Sequence, residues 1–200
     1  MLLNFKQYIT VLTVVVILFA LPPGAFGDQN ASELLRKLSL TESTFTVGYG
    51  NGSLSEGDYE QVALIWHLGF DLQHVFTRLQ GHRGILSFAL EPQINPVFNP
   101  ETDVEVGISF GLKYRYPISE SWSVYVLGSV GPHWITVQTK DQANGFIFFD
   151  TAGGGVSFFL TEKSAVNLEY RFRHASNADI EEPNGGIDSH MVLIGYSRFF

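Results

Sequence analysis

The stretch that decides the fold is Asp103 to Tyr116, which reads DVEVGISFGLKYRY. Its even positions, from Val104 to Tyr116, are all apolar or aromatic, whereas its odd positions are acidic, basic or small. Successive side chains of a β-strand point to opposite faces, so this pattern predicts a strand with one apolar and one polar face. Periodicity alone leaves open which face is inside. A soluble barrel buries its apolar face, and a transmembrane barrel turns that face to lipid.

The same alternation recurs along the chain and defines eight candidate strands. Most of them reach the roughly 9–11 residues that cross a bilayer at a tilt, whereas strands of soluble domains usually have about 5–6. Several begin or end on an aromatic residue, such as Tyr59, Trp122, Tyr170 and Phe200, as expected of interfacial girdles. The sequence therefore predicts an all-β fold, an eight-stranded antiparallel transmembrane β-barrel, with strands at about 43–51, 59–70, 83–93, 103–116, 122–138, 145–160, 164–175 and 187–200.

The connections between these strands are expected to alternate in length. Short turns are predicted at 117–121 and 161–163, and longer loops rich in Gly, Pro, Asn and charge at 51–58, 91–102, 139–144 and 176–186. Outer-membrane barrels have short periplasmic turns and longer external loops. The connection at 71–82 is longer than this rule predicts for a periplasmic turn. With both termini in the periplasm, the seventh strand would run outward and end at the external leaflet.

The N-terminal residues have the features of a secretory signal peptide. Lys6 supplies positive charge, the following apolar run ends at two prolines, and small residues stand at Ala25 and Gly27. An uncleaved membrane anchor is the alternative, but the apolar run is short for a spanning helix, which needs about 20 residues. We therefore expect a signal peptide at 1–27, a periplasmic lead-in at 28–42 and an outer-membrane barrel at 43–200.

The composition excludes several classes of chemistry. The 200 residues carry a formal net charge of −8 and lack a basic stripe, which argues against a nucleic-acid partner. There is no cysteine, so disulfides, thiolate metal sites and a cysteine nucleophile are excluded. Five histidines are scattered without the spacing of metal ligands, and we expect no metal and no cofactor; they are His67, His74, His82, His133 and His190.

The candidate chemistry lies near the C-terminus, in the segment from Arg171 to Phe200. His174 and Ser176 are two residues apart on a predicted strand and therefore share a face. A serine hydroxyl becomes a nucleophile when an adjacent base takes its proton and a third group orients that base. Because a lone His-x-Ser pair is common by chance, spacing alone favours a pair of surface polar residues. The sequence leaves the third group open among four acids, Asp179, Glu181, Glu182 and Asp188.

The parity of the last two strands predicts where these groups point. His174 and Ser176 share parity with the apolar positions of the seventh strand, so both should face the lipid near the outer rim. The even positions of the eighth strand place Asp188 on the same face. The opposite face should line the lumen, where ion pairs are expected among Lys113, Arg115, Arg171, Arg173, Glu105 and Glu169.

The ordered motif His174-Ala175-Ser176-Asn177, followed by Pro183-Asn184-x-Gly186 and an acid, resembles the active-site strand and loop of the outer-membrane lipid A 3-O-deacylases, the PagL family. The specific match covers about the last thirty residues. The resemblance implies a serine esterase that hydrolyses the 3-O-linked hydroxyacyl chain of lipid A in the outer leaflet of the bacterial outer membrane. Its substrate would be lipid A or lipopolysaccharide, and no metal would take part.

The resemblance also implies a role for each matching residue. Ser176 is the implied nucleophile, His174 the general base, Asp188 the orienting acid and Asn177 the residue that stabilises the oxyanion. This chain departs from the family pattern at two positions, with aspartate instead of glutamate at Asp188 and aspartate instead of glycine at Asp179.

Two other functions compete with this interpretation. One is a structural or adhesive outer-membrane barrel without catalysis, and the other is an esterase acting on glycerophospholipids. Membrane lipids are partners in every case. The sequence leaves the oligomeric state open, with a homodimer as one option.

Overall fold

The computed structural model describes residues 39–73 and 81–200. The predicted signal peptide and most of the predicted lead-in lie outside the described residues. The described chain forms eight β-strands: β1 (Leu40–Leu54), β2 (Gly57–Asp71), β3 (Ile85–Asn99), β4 (Asp103–Pro117), β5 (Trp122–Ile135), β6 (Gly145–Thr161), β7 (Ser164–Ser176) and β8 (Ile187–Phe199). No helix long and apolar enough to span a bilayer occurs within those two ranges.

The strands close into a barrel in which each pairs antiparallel with its neighbours in sequence. β1 also pairs with β8, in a register that runs from Glu42 opposite Phe199 to Gly52 opposite Ser189. The fold class predicted from the alternation is therefore confirmed, and so is the number of strands. β1 begins at Leu40, so its first residues fall in the segment predicted as a lead-in.

The outer surface of the barrel is apolar because alternate side chains of each strand point away from the lumen. Phe45, Val47, Val192 and Ile194 are examples of outward side chains that remain exposed on two neighbouring strands. Soluble monomers rarely expose contiguous apolar surface on this scale, whereas lipid-facing strands require it. The apolar face of the pattern in β4 accordingly points outward, with Val106 and Phe110 exposed while Glu105 and Ser109 are buried.

The lumen is lined by polar side chains that pair with one another across the barrel. Arg171 donates to both carboxylate oxygens of Glu91 at 2.8 and 2.9 Å, and it also binds Glu169. Arg173 donates to both oxygens of Glu105 at 2.6 and 3.2 Å. The predicted lumenal positions of both arginines, and their pairing with Glu105 and Glu169, are thus confirmed.

The other two predicted lumenal cations have different partners. Lys113 binds Glu42 of β1 at 2.6 Å rather than either of the predicted glutamates. Arg115 lies over the ring of Phe199, 4.9 Å from its centroid. The strand register fixes these partners, because it brings the start of β1 to the level of Lys113.

An apolar cluster fills the end of the barrel that carries the β5–β6 and β7–β8 loops, which we call the upper end. Its buried members come from β2, β3, β5, β6, β7, β8 and the start of the β5–β6 loop, and they are Tyr59, Val97, Ile135, Val137, Ile147, Phe149, Ala175 and Ile187. The guanidinium of Arg173 lies 4.2 Å from the centroid of the Phe149 ring, directly below this cluster. The interior at the upper end is therefore filled by packed side chains and is not an open passage.

The connections agree only partly with the predicted pattern of lengths. The turns at 118–121 and 162–163 are short and the loops at 136–144 and 177–186 are long, as predicted. The prediction was wrong for the β1–β2 and β3–β4 connections, which occupy only residues 55–56 and 100–102. The strands on either side continue further than expected, and Gly57, at a φ of +143°, closes the first of these tight turns. The β2–β3 connection, at residues 72–84, is longer than the other connections at its end of the barrel.

The buried pair between Glu105 and Arg173 yields a stability prediction. Glu105→Ala should lower the free energy of unfolding by about 3–5 kcal/mol, because it leaves the Arg173 guanidinium buried without its carboxylate. The midpoint of the heat-induced shift in gel migration measures this loss. Glu162→Ala, in an exposed turn, is the control and should leave the midpoint unchanged. Equal midpoints for the two variants would contradict the structural role of the pair.

Candidate active site

His174 and Asp188 form a hydrogen-bonded pair across β7 and β8. They stand directly opposite each other in the strand register, and His174 Nδ1 lies 2.5 Å from Asp188 Oδ1. The histidine side chain is 13% exposed and the aspartate side chain is 49% exposed, and both belong to the outward face. The imidazole N–H donates to the carboxylate, which fixes the ring orientation and directs Nε2 away from the acid.

The other three acids considered from the sequence lie in the β7–β8 loop. Asp179 Oδ1 accepts a hydrogen bond from Asn184 Nδ2 at 2.7 Å, and Glu181 and Glu182 are exposed. None of them stands opposite His174 in the strand pairing. The geometry therefore favours Asp188 as the orienting acid. Its shorter side chain suffices because the register places the two residues directly across from each other.

Ser176 is the last residue of β7 and lies on the same outward face as His174. It is half-buried and stands opposite Phe148 of β6. No hydrogen bond joins the Ser176 hydroxyl to His174 among the residues that the structure describes. Catalytic hydrogen bonds are often long in enzymes without bound substrate and shorten in the complex, so this separation is compatible with a nucleophile and its base.

Gly186 is packed against the imidazole ring. A Cβ atom at this position would lie 2.6 Å from His174 Cε1 and 3.2 Å from Nε2. Its φ of +81° also belongs to the left-handed region, which glycine adopts without steric cost. Two separate constraints, the close approach and the backbone conformation, thus require glycine beside the candidate base.

Asn177 is almost completely buried, and its backbone and its side chain each donate one hydrogen bond within the loop. Its backbone N–H donates to Asn184 Oδ1 at 2.9 Å, and its side-chain Nδ2 donates to the Glu181 carbonyl at 2.7 Å. The side chain therefore fastens the β7–β8 loop in the present arrangement. The sequence motif points to Asn177 but gives no role to Asn184, its partner from the Pro-Asn-x-Gly part of the motif.

The chain turns sharply just after Asn177. Ala178 and Asp179 both have left-handed backbone conformations, with φ values of 56° and 63°. Asparagine and aspartate tolerate this region better than most residues do, which accounts for aspartate at a position where the family pattern has glycine. Because Asp179 binds the Asn184 amide, its carboxylate is held within the loop rather than directed at Ser176.

Asp150 is a residue of this region that sequence reasoning missed. It lies on β6 directly opposite His174, so the histidine stands between two strands that each carry an aspartate at the same level. The signal was present in the sequence, since Asp150 interrupts an outward row that otherwise contains Phe146, Phe148 and Ala152. Only the β6–β7 register shows that this acid lies beside the candidate base.

Of the other histidines considered in the sequence, two are buried in the lumen and a third lies on the outward face, two residues from Asp188. His67 is buried in the lumen, 2.9 Å from Glu91, and His133 is stacked on Phe149 with a centroid distance of 3.9 Å. His190 lies on the outward face and shares a 2.6 Å hydrogen bond with the Tyr170 hydroxyl. Within residues 39–73 and 81–200, no three His, Asp or Glu side chains are placed to hold a metal ion.

The closed barrel, its apolar exterior and its ion-paired lumen define a protein of the bacterial outer membrane. Solved structures share this fold. The outer membrane enzyme PagL matches with a TM-score of 0.54 and 16% identity, covering 77% of this chain and 97% of that one. Neisserial surface protein A matches with a TM-score of 0.59 and 14% identity, covering 82% of this chain and 99% of that one.

The family to which this chain belongs is identified by a match between its sequence and a family profile. The profile of the family described as lipid A 3-O-deacylase (PagL) matches residues 51–197, a span that includes His174, Ser176 and Asp188. The chain belongs to this family, and the resemblance noted in its C-terminal segment is confirmed. No individual curated protein matches the sequence significantly.

The contact between Gly186 and His174 can be tested without a natural substrate. If His174 is the base that activates Ser176, Gly186→Ala should displace the ring and lower the rate of Ser176 labelling by a serine-reactive phosphonate about 10-fold to 100-fold, because small misplacements of a base relative to its nucleophile are costly. Gly128→Ala is the matched control, since a Cβ there would meet only the Thr151 carbonyl, at 3.7 Å. Equal labelling rates for both variants and wild type would show that the ring position does not matter.

Proposed function

We propose that this protein is a serine esterase that removes the 3-O-linked hydroxyacyl chain from lipid A in the outer leaflet. The observation that carries the proposal is the His174–Asp188 pair, which lies beside Ser176 on the lipid-facing surface of a chain that belongs to the lipid A 3-O-deacylase family. A lumenal site could not meet a lipid, whereas an outward site at the rim of the barrel meets lipid directly.

The first step of the reaction is acylation of Ser176. The hydroxyl oxygen attacks the ester carbonyl as His174 removes its proton, and the resulting imidazolium is stabilised by Asp188. When the tetrahedral intermediate collapses, the bond to the sugar oxygen breaks. His174 returns the proton to that oxygen, and the sugar hydroxyl leaves while the acyl group remains on Ser176.

The second step is hydrolysis of the acyl-enzyme. A water molecule gives a proton to His174 and attacks the acyl carbonyl, and the Ser176 oxygen is then released and reprotonated. The products are a free hydroxy fatty acid and a lipid A molecule with one acyl chain fewer. The site lies at the upper end of the barrel, where water can reach the ester from outside the hydrocarbon.

The loop after β7 is assigned to stabilise the negative charge on the intermediate. Asn177 contributes by holding the turn through its bonds to Asn184 and Glu181, and the second N–H of its side-chain amide is its own candidate donor to the oxyanion. The backbone N–H groups of the left-handed turn at Ala178 and Asp179 are the alternative donors. One such donor contributes about 3–4 kcal/mol to transition-state stabilisation.

The apolar surface around the site suits an acyl chain. Phe148 stands opposite Ser176 on one side, and Phe172 precedes His174 on the outward face of β7. Below them the outward face of β7 continues through Tyr170 and Leu168, both about half exposed. The acyl chain would remain in the bilayer along β7 and β8 while its ester group reaches Ser176.

The nucleophile and base are tested with lipid A and the refolded barrel. Wild type should release one hydroxyacyl chain, whereas Ser176→Ala and His174→Ala should release none above background. The first variant lacks the oxygen that attacks the ester carbonyl, and the second lacks the base that takes the proton from that oxygen. Mass spectrometry of the lipid product measures the loss, and heat-modifiable gel migration verifies folding.

A fully active Ser176→Ala variant would refute the mechanism. A wild type that cleaves phospholipids but not lipid A would indicate the glycerophospholipid esterase, and a folded wild type inactive on both would indicate a non-catalytic barrel.

The orienting acid is tested at Asp188. Asp188→Asn should lower kcat about 10²-fold to 10⁴-fold, because an amide favours the wrong imidazole tautomer and does not stabilise the imidazolium. Asp188→Glu, which restores the family's usual residue, should retain activity. Glu182→Gln, which also replaces a carboxylate with an amide, is the control for loss of a nearby negative charge and should leave kcat unchanged. If Glu182→Gln and Asp188→Asn behaved alike, the assignment of Asp188 would fail.

A further inference from the structure

The loop between β5 and β6 is bonded to the loop that follows Ser176. The Ala143 N–H donates to the Pro183 carbonyl at 2.7 Å, and the Gly185 N–H donates to the Asp141 carbonyl at 2.5 Å. These two bonds lie on either side of Asn184, so the β5–β6 loop holds the main chain of that residue from both sides. The β7–β8 loop is therefore not positioned by its own strands alone.

Asp141 connects the same loop to a third part of the upper end. Its Oδ2 accepts a hydrogen bond from the backbone N–H of Ser55, in the two-residue β1–β2 turn, at 2.6 Å. That hydrogen bond lowers the pKa of the Asp141 carboxyl below its ordinary value, because the N–H stabilises the ionised form. A second link joins the same two segments, since the Lys140 N–H donates to Glu56 Oε1 at 2.9 Å.

The contacts form a continuous path from the β1–β2 turn to the candidate nucleophile. Ser55 holds the Asp141 side chain, and the Asp141 carbonyl holds Gly185, next to Asn184. Asn184 Oδ1 in turn accepts the backbone N–H of Asn177, the residue directly after Ser176. The β1–β2 turn is a rigid anchor for this path because it is only two residues long and its strands are paired up to Leu54 and Gly57.

We propose that Asp141 is a positioning residue for the esterase reaction. It touches neither the lipid nor the reacting atoms, and it fixes the β7–β8 loop so that the donors around Asn177 meet the developing oxyanion. The inference rests on the proposed function. It adds that the rate of turnover, rather than the affinity for lipid, depends on a loop outside the strands that carry the catalytic groups.

The test compares Asp141→Ala with Asp141→Asn in the full-length refolded barrel, using lipid A in mixed micelles. Asp141→Ala should lower kcat about 10-fold to 100-fold with KM within about twofold, because a loosened loop misplaces the oxyanion donors without changing the lipid-facing surface. Asp141→Asn should recover most of kcat, since its amide oxygen can still accept the Ser55 N–H. Glu101→Ala, which removes an exposed acid at the same end of the barrel, is the control for loss of charge and should match wild type.

A second variant approaches the same bond from its other partner. Ser55→Pro removes the N–H donor and leaves Asp141 in place, and it should lower kcat as Asp141→Ala does. The double variant should be no slower than either single variant, because both remove one interaction. An active wild type with an unchanged kcat in Asp141→Ala and Ser55→Pro would overturn this inference alone. A loss confined to KM would also overturn it, and a wild type inactive on lipid A would overturn the proposed function together with it.

Discussion

Hydrocarbon offers a peptide group no hydrogen-bond partner, so each N–H and C=O that crosses a bilayer must be satisfied by the chain itself. The pairing of β1 with β8 meets this requirement because it leaves no free strand edge. Once the sheet is closed, its outward face contacts lipid and its inward face lines a narrow lumen. The alternation of Asp103 to Tyr116, and of the strands around it, follows from that single constraint.

The same constraint explains why the interior holds charges and the exterior holds the candidate chemistry. Polar residues that alternate with lipid-facing ones must enter the lumen, where an unpaired charge is costly. Arg171 and Arg173 are accordingly paired with Glu91, Glu169 and Glu105. With the interior taken up by these pairs and by the apolar cluster at the upper end, a group that acts on a lipid must lie on the outward face. His174, Ser176 and Asp188 all do.

The sequence was most informative where a feature depends on period alone. Parity correctly predicted that His174, Ser176 and Asp188 face outward and that Arg171 and Arg173 face inward, since a strand has only two faces. It could not give Glu42 as the partner of Lys113, because that contact depends on the stagger of distant strands around the barrel. Asp150 was missed for the same reason, as its place beside His174 follows from the β6–β7 register.

Loop geometry was the least predictable part of the upper end. The β1–β2 and β3–β4 connections were expected to be long because their residues include Gly, Pro, Asn and charged side chains. Instead, most of these residues pair with the neighbouring strand and belong to the strands themselves. The fastening of the β7–β8 loop depends on side-chain bonds among Asn177, Asn184 and Asp179 and on contacts from another loop. Contacts of this kind have no period, and a motif indicates only that such residues are present.

The outward position of the His174–Asp188 pair has a consequence for how such a protein encounters its substrate. A site that opens sideways into a leaflet receives molecules by lateral diffusion in two dimensions. Its occupancy is then set by the mole fraction of substrate among the surrounding lipids rather than by a concentration in bulk water. Turnover would therefore depend on the fluidity and composition of the leaflet. Dilution with inert lipid would lower the rate of turnover even at a constant total amount of substrate.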